Sequence, residues 1–516
     1  MTKKLYIEII FLFFLGVFSS LSLPPYNFLL INFFTFSALL IFLIKKSKEH
    51  KKKNLFFLYG WLFGFGYFIS NLYWISFALT FDKNFSSFIP FVIILLPSIL
   101  ALFYGLISFF FILFMPRGII SSFLSFSLIF AILEFIRGSI LTGFPWNLIA
   151  YSFTNQLEIL SIISITGTYG FNLFCITLFV SPAIFIIKDN KKDVLVFIFF
   201  IVTLFCFYFY GSFREEKFNK SISENRQFKI RVIGANISLE RFYKNVDTIS
   251  IIEDLIKISA PKADEKTIFL WPEAMLPNIL KEDLVQYSFL FEKKFNENHL
   301  FIIGTNSKTD ENSLTKYFNS LTVYDNNLKI LNSYDKIKLV PFGEFLPLEN
   351  FLKLIGIRSL TNNYQSYSSG NVREIIEINR ENFSLKILPL ICYEIIYSGS
   401  LSSKFNFDLI INISEDGWFG KTIGPEQHFA HSIFRAIESG KYLARSSNNG
   451  ITALINPLGK AEKIINHGQS GYIDFEERRK IQPTIFSKYG NKIFLMLILL
   501  YIFLIFSFNK IRNEQS

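Results

Sequence analysis

Apolar residues run in long unbroken stretches through residues 1–211 and again through 493–508. Stretches of roughly the 17–25 residues needed to cross a bilayer lie near 5–23, 27–44, 55–78, 88–114, 118–136, 159–187 and 194–211. A shorter eighth, 493–508, is bounded by Lys492 and Lys510. Such runs predict helices, because a segment inside a bilayer must satisfy its backbone hydrogen bonds internally. Between them the pattern changes to short apolar runs separated by polar, amphipathic segments. Strands are predicted at 229–237, 267–270, 299–304, 385–391, 408–413 and 443–455, with a hairpin of 318–324 and 329–334 across Asp325-Asn326-Asn327. Helices are predicted at 248–259 and 423–440. This order fits an α/β sandwich. The chain thus divides into a membrane part with seven transmembrane helices (1–213), a folded α/β part (214–490), and a last transmembrane helix with its tail (491–516).

Charge then orients the helices. Lys3 and Lys4 precede the first run, and Lys45, Lys46, Lys48, Lys51, Lys52 and Lys53 follow the second. Arg117 follows the fourth, Lys188, Lys191 and Lys192 the sixth, and Lys510 and Arg512 the eighth. The intervening loops carry only Lys83 and Arg137. Every other loop is basic, which places both termini in the cytoplasm and the α/β part outside it. The first run, behind Lys3 and Lys4 and before the small residues Ser20 and Ser22, has the outline of a secretory signal. Another apolar run follows directly after Pro24-Pro25, so an uncleaved span is expected.

Composition agrees. Of 516 residues 51% are hydrophobic and 65 are Phe, more than a soluble core of this length requires. The net charge of +11 is explained by the basic clusters beside apolar runs, so nucleic acid is not an expected partner.

Two polar features interrupt the apolar part. Glu134 and Arg137 stand one helical turn apart near the outer end of the fifth run, as a local ion pair at the interface or as a substrate-facing site. Gly143-Phe144-Pro145-Trp146-Asn147 follows in the next loop, where Trp146 is either a headgroup-level anchor or part of a lip that admits lipid.

In the α/β part Cys392 is the only cysteine, so no disulfide framework is possible there. The predicted strand 385–391 stops at it, which would present the thiol at a sheet edge where ligands of α/β proteins gather; an inert buried cysteine has the same signature. A thiol nucleophile needs a base and an oxyanion partner. None of the five histidines follows a predicted strand. His428 and His431, with Glu426, depart from H-E-x-x-H spacing, so no metal and no cofactor are expected. Carboxylate and ammonium alternatives exist: Glu273 ends Trp271-Pro272-Glu273, and Lys336 lies in Tyr334-Asp335-Lys336 ahead of Leu339-Val340-Pro341-Phe342-Gly343-Glu344. Singly, each reads as a surface charge.

Taken in order, Glu273, Lys336 and Cys392 resemble the Glu–Lys–Cys triad of the nitrilase superfamily. With seven spans before and one after, the chain is similar to the apolipoprotein N-acyltransferases, the membrane-bound branch of that superfamily. The likeness extends over Gly64-Phe65-Gly66, Gly143-Phe144-Pro145-Trp146, Asn412-Ile413-Ser414, Gly417-Trp418-Phe419-Gly420, Gly424-Pro425 and Asn448-Asn449-Gly450-Ile451-Thr452. It departs at Lys338, where the family usually has His, and at Phe242 or Tyr243, where a Trp is usual. Glu415 and Gly417 stand where Asn and Ala are commoner.

The resemblance implies a helical membrane domain of about eight spans joined to an extracytoplasmic nitrilase-like αββα sandwich in the bacterial inner membrane. It implies that Cys392 takes an acyl chain from a membrane phospholipid as a thioester and passes it to the α-amino group of a diacylglyceryl-cysteine on an apolipoprotein. Glu273 would act as proton acceptor and Lys336 as oxyanion stabiliser, with Glu344, Tyr393 and Glu394 in support. Trp146, Phe345 and Trp418 are candidate lipid contacts. The apolar stretch Phe345-Leu346-Pro347, Phe351-Leu352 and Leu354-Ile355 reads as a lid or bilayer-dipping arm, against an ordinary packed helix. A monomer is expected. Competing readings are a membrane-tethered amidase and a non-catalytic lipoprotein-binding scaffold.

Overall fold

The computed structural model describes residues 3–49, 52–81, 83, 85–188, 190–244, 246–311, 314–347, 366–380, 383–399, 406–479 and 481–515. The N-terminal part is a helical bundle of α1 (Lys3–Ser20), α2 (Ile31–Glu49), α3 (Asn54–Leu72), α4 (Ile89–Leu113), α5 (Ile119–Arg137), α6 (Ile163–Val180) and α7 (Val194–Asn219). Among the described residues, six segments are long and apolar enough to cross a membrane: Asn54–Thr80, Ser86–Leu113, Ile119–Arg137, Ile163–Ile187, Val194–Asn219 and Lys492–Lys510. Helices α1 and α2 have similar length but include Lys3, Lys4 and Glu8, and Lys45, Lys46, Lys48 and Glu49, respectively. Glycines allow the closest crossing. A Cβ on Gly16 would lie 2.0 Å from the Phe63 carbonyl oxygen, and one on Gly66 would lie 2.1 Å from that of Phe13, so only glycine lets α1 and α3 approach this far.

The run 159–187 is not one straight helix, as its apolar character predicts. Gly167 adopts φ 67° inside α6, and the chain after Val180 tightens into a 3-10 turn, Ser181–Ala183. Apolar periodicity cannot register a break that a single glycine introduces.

Two six-stranded sheets form the α/β part, in the orders β12-β1-β2-β3-β4-β5 and β11-β10-β9-β8-β7-β6. The first contains β1 (Ser223–Gly234), β2 (Thr267–Leu270), β3 (His299–Glu311), β4 (Leu314–Tyr324), β5 (Ile330–Asp335) and β12 (Gly471–Arg479). The second contains β6 (Ile376–Arg380), β7 (Phe383–Ile391), β8 (Leu409–Glu415), β9 (Tyr442–Asn448), β10 (Thr452–Ile455) and β11 (Ala461–Ile465). Alternation sorts the side chains into layers. Ile268 and Leu270 of β2 join the core shared with Leu388, Ile410 and Ala444 of the facing sheet. Phe269 and Trp271 point the other way, onto Ile252 and Leu255 of α8 (Thr248–Ser259). Helix α9 (Gly424–Ser439) covers the second sheet with Phe434 and Ile437. The result is an α-β-β-α sandwich.

The predicted strand 443–455 is instead a hairpin, β9 and β10. Asn449 turns the chain at φ 55°, and a Cβ on Gly450 would come within 2.2 Å of Asp416 Oδ2. The strand predicted to reach residue 237 ends at Gly234, before Asn236 takes φ 54°. Strands β6, β11 and β12 were not predicted, since charged edge sequences such as Glu476-Glu477-Arg478-Arg479 lack an apolar run. At the far end α10 (Lys492–Gln515) returns to the bundle.

Candidate active site

In both sheets the three central strands are parallel, β1-β2-β3 and β7-β8-β9. Their C-terminal ends bring the candidate residues together. Glu273 follows β2 through Trp271-Pro272, and its backbone lies so close to β3 that a Cβ on Gly304 would be 2.6 Å from Glu273 Cα. Lys336 follows β5. Cys392 follows β7 directly and opens the 3-10 turn Cys392–Ile396. Its φ of 48° is left-handed, a conformation that costs a non-glycine residue energy and is sustained only where neighbours enforce it.

The three side chains are buried: Glu273 is 4% exposed, Lys336 1% and Cys392 8%. Lys336 Nζ lies 3.4 Å from Glu273 Oε1 and 2.9 Å from Glu344 Oε1. Asn319 of β4 donates to both carboxylates, at 2.7 Å and 2.8 Å. The other oxygen of Glu273 accepts the Glu415 backbone N–H at 2.8 Å, and that of Glu344 accepts the Val340 N–H at 2.8 Å. One ammonium therefore serves two carboxylates, and a neutral amide bridges them.

Burial pushes the Glu273 carboxyl above its ordinary range; Lys336 opposes the shift and Glu344 reinforces it. Burial likewise drives the Cys392 thiol up, with Glu273 adding and Lys336 opposing. Burial alone would lower the Lys336 ammonium, but Glu344 and Glu273 hold it well above its usual value. These shifts favour a neutral thiol and a charged ammonium at rest, beside a Glu273 whose affinity for a proton is raised. This arrangement suits transfer of the thiol proton to Glu273 during attack rather than a standing thiolate.

Glu394 fixes the frame. Its Oε2 accepts the Ile391 N–H at 2.9 Å, and its Oε1 accepts the Tyr334 hydroxyl at 2.7 Å, the Ile337 N–H at 3.1 Å and Arg373 at 2.8 Å. The nucleophile turn and the segment after Lys336 are thereby tied to one carboxylate. Behind the thiol, Asp416 accepts from Ser414 at 2.6 Å and from Arg445 at 2.7 Å, and its Oδ1 lies 2.9 Å from His428 Nδ1. Sequence reasoning missed Asn319, Ser414 and Arg445, which look like ordinary polar strand positions. Only their inward register would have marked them.

Of the residues expected to meet lipid, Trp146 is buried, whereas Trp418 and Phe345 are half-buried. Trp146 is 2% exposed and donates its indole N–H to Gln427 Oε1 at 2.9 Å. It is therefore not an exposed anchor but a joint between the two parts of the chain. Glu134 and Arg137 form a buried pair at 3.0 Å rather than one at the interface, and Arg137 also donates to the carbonyls of Phe144 and Trp146. Tyr393 reaches the same loop, donating to the Gly143 carbonyl at 3.1 Å. Trp418 is half-buried in an aromatic group with Phe81, Phe242 and Tyr243, at ring distances of 5.7, 5.1 and 6.2 Å. Lys338 Nζ lies 5.4 Å from the Tyr397 ring. Phe345 is half-buried, and its carbonyl accepts the Phe342 N–H at 2.8 Å; Phe351, Leu352, Leu354 and Ile355 lie outside the described residues. His431 Nδ1 lies 2.7 Å from the Tyr151 hydroxyl.

Two family models match the chain: the apolipoprotein N-acyltransferase N-terminal domain over residues 15–181 and carbon-nitrogen hydrolase over residues 230–482. Apolipoprotein N-acyltransferase of Rhodopseudomonas palustris is 30% identical over 496 residues, covering 92% of this chain and 90% of that protein. The enzyme of the same name from Rickettsia typhi is 32% identical over 494 residues, covering 93% and 94%. Among solved structures, an amidase of the nitrilase superfamily from Nesterenkonia AN1 matches 49% of this chain and 91% of its own at 11% identity, with a TM-score of 0.32.

Proposed function

The chain belongs to the apolipoprotein N-acyltransferase family, and from that premise we propose that Glu273, Lys336 and Cys392 are its catalytic triad. The protein is a multi-pass inner-membrane acyltransferase of the nitrilase superfamily that N-acylates lipoproteins. The single observation that carries the triad is the buried meeting of three strand ends, with Lys336 Nζ 3.4 Å from Glu273 and the thiol within the field of both.

The steps follow from that geometry. Cys392 Sγ attacks the ester carbonyl of a phospholipid while Glu273 takes the thiol proton. Lys336 offsets the charge gathering on the carbonyl oxygen. Collapse breaks the C–O bond, and Glu273 returns the proton to the departing lysophospholipid alcohol, leaving a thioester. The α-amino group of a diacylglyceryl-cysteine then attacks the thioester, Glu273 accepts its proton, and the proton passes to the departing thiolate. Glu344 steadies Lys336, Glu394 holds the nucleophile turn, and the N–H groups near Tyr393 assist the oxyanion.

In this reading eight helices span the bilayer, seven within 1–213 and one within 491–516. The sandwich, 214–490, stands on the periplasmic side, as the alternation of basic loops supports. Holding the site against the lipid surface disfavours water, so the thioester meets an amine before it is hydrolysed. Trp418 and Phe345 supply apolar walls, and the chain acts as a monomer.

A phospholipid carrying a labelled acyl chain, mixed with a synthetic diacylglyceryl-cysteine peptide, tests the reading. The protein is expected to form the N-acyl peptide, and Cys392→Ala none. Release of free fatty acid at the same rate with and without peptide would instead mark a hydrolase of the amidase type. Peptide binding without turnover would mark a scaffold.

A further inference from the structure

Beside the triad lies a second charged pair that the mechanism leaves unused. Arg241 and Glu415 are ion-paired with both side chains 1% exposed. Two charges taken so far from water must be held by many partners, and these are. Arg241 lies in the short turn Leu239–Phe242 and donates to the Ser238 carbonyl at 2.9 Å and to those of Ile237 and Ala274 at 3.2 Å. Glu415 accepts from Asn448 at 2.7 Å and from the Gly417 N–H at 2.8 Å.

Both partners also hold Glu273. The Glu415 backbone N–H bonds to Glu273 Oε2 at 2.8 Å. Arg241 grips the carbonyl of Ala274, the next residue, which sits at φ 51°. On its outer side Arg241 is continuous with Phe242 and Tyr243, which pack on Trp418. The fit extends to Gly417, where an added Cβ would lie 2.7 Å from Glu415 Oε1 and 2.9 Å from Asn449 Nδ2. The inward curl of Glu415 leaves no room for a side chain there.

We propose that the Arg241–Glu415 pair is a positioning device for the base, fastening both the Glu273 carboxylate and its following peptide to the aromatic loop at residues 236–243. This rests on the reading of Glu273 as proton acceptor. The groups facing Glu273 are otherwise Lys336, Glu344, Asn319 and Cys392. Loosening the Glu415 N–H removes a bond that favours the carboxylate, so the acid limb of activity moves to higher pH.

The test is single-turnover thioester formation from phospholipid, in detergent, across pH. Arg241→Met/Glu415→Gln removes both charges together and leaves no buried charge unpaired. The rate at saturating lipid is expected to fall about ten- to hundredfold, with the acid limb raised by about half a unit and half-saturation changed less than about twofold. Arg241→Lys, which keeps the charge but not the fan of bonds, should give an intermediate loss. Gly417→Ala should slow the wild-type protein and add little in the double variant. A wild-type rate and acid limb in the double variant, or in Arg241→Lys should the double variant not fold, would overturn the proposal. So would a loss that merely follows the unfolded fraction. Glu273→Gln is run in parallel: if it matches wild type, the base assignment itself fails; if it is inactive while the pair variants are normal, only the positioning role fails.

Discussion

In the proposed mechanism Glu273 holds a proton briefly and gives it back twice, which requires an environment that keeps carboxylate and acid close in energy. Burial raises its affinity for a proton, while Lys336 and the Asn319 and Glu415 N–H donors restrain that rise. Below its own pKa Glu273 is protonated and cannot accept from the thiol. A raised pKa therefore moves the acid limb of thioester formation above the ordinary Glu value of about 4.3. Glu273→Gln is expected to abolish that limb and slow thioester formation by about 10^2–10^4-fold. Lys336→Met, losing the oxyanion partner, should cost about 10^2–10^3-fold. A stopped-time assay of the acyl-enzyme across pH measures both. At this scale the three proposed residues stood out by their order and by the distinctive words around them, Trp271-Pro272-Glu273, Tyr334-Asp335-Lys336 and Ile391-Cys392-Tyr393-Glu394. Asn319 did not, because a polar residue inside a strand gives no sign of which face it occupies.

Among elements, the nucleophile turn depends most on one residue. Glu394 joins β7, β5 and Arg373 through hydrogen bonds of 3.3 Å or less. Its substitution by Gln removes the charged partner that Arg373 has among the described residues, and losing one member of such a buried pair costs about 3–5 kcal/mol. Glu394→Gln is expected to lower the unfolding midpoint of the sandwich and to slow thioester formation; unchanged unfolding would count against this role. Elements with a single clear period were legible: 248–259 and 267–270 coincide with α8 and β2. The hairpin β9–β10 was hidden because its turn, Asn449-Gly450, directly continues the polar stretch Arg445–Asn448 of β9, so no separate polar break marks it. The kink at Gly167 was hidden because a single glycine does not interrupt an otherwise apolar run.

The whole molecule is held together where α9 meets the bundle. Gln427 accepts from Trp146 at 2.9 Å and from Trp74 and Asn147 at 3.3 Å, and donates to Asn71 at 3.3 Å and Pro24 at 3.4 Å. Gln427→Leu leaves two buried indole N–H groups unpaired, at about 1–3 kcal/mol each. Thermal unfolding in detergent should show that loss, accompanied by more hydrolysis per transfer as the joint admits water. Charge alternation also predicts which surfaces each side of the membrane can reach. His467→Cys should react with an impermeant maleimide in intact spheroplasts, whereas Lys48→Cys should react only after lysis; the reverse pattern would invert the topology. That the two parts form one machine was not legible, because Trp146, Arg137 and Gln427 lie far apart in sequence and only the folded chain joins them.

The central claim is that a thioester on Cys392 carries the acyl chain between two lipids. Intact-mass measurement tests it after the protein has met phospholipid alone and then a diacylglyceryl-cysteine peptide. The expected result is a gain of one acyl chain, mapped to the peptide containing Cys392 and cleaved by hydroxylamine. That mass then returns to its starting value as the acceptor gains the chain as an amide. No adduct on the wild-type protein, or an equal adduct on Cys392→Ala, would contradict it.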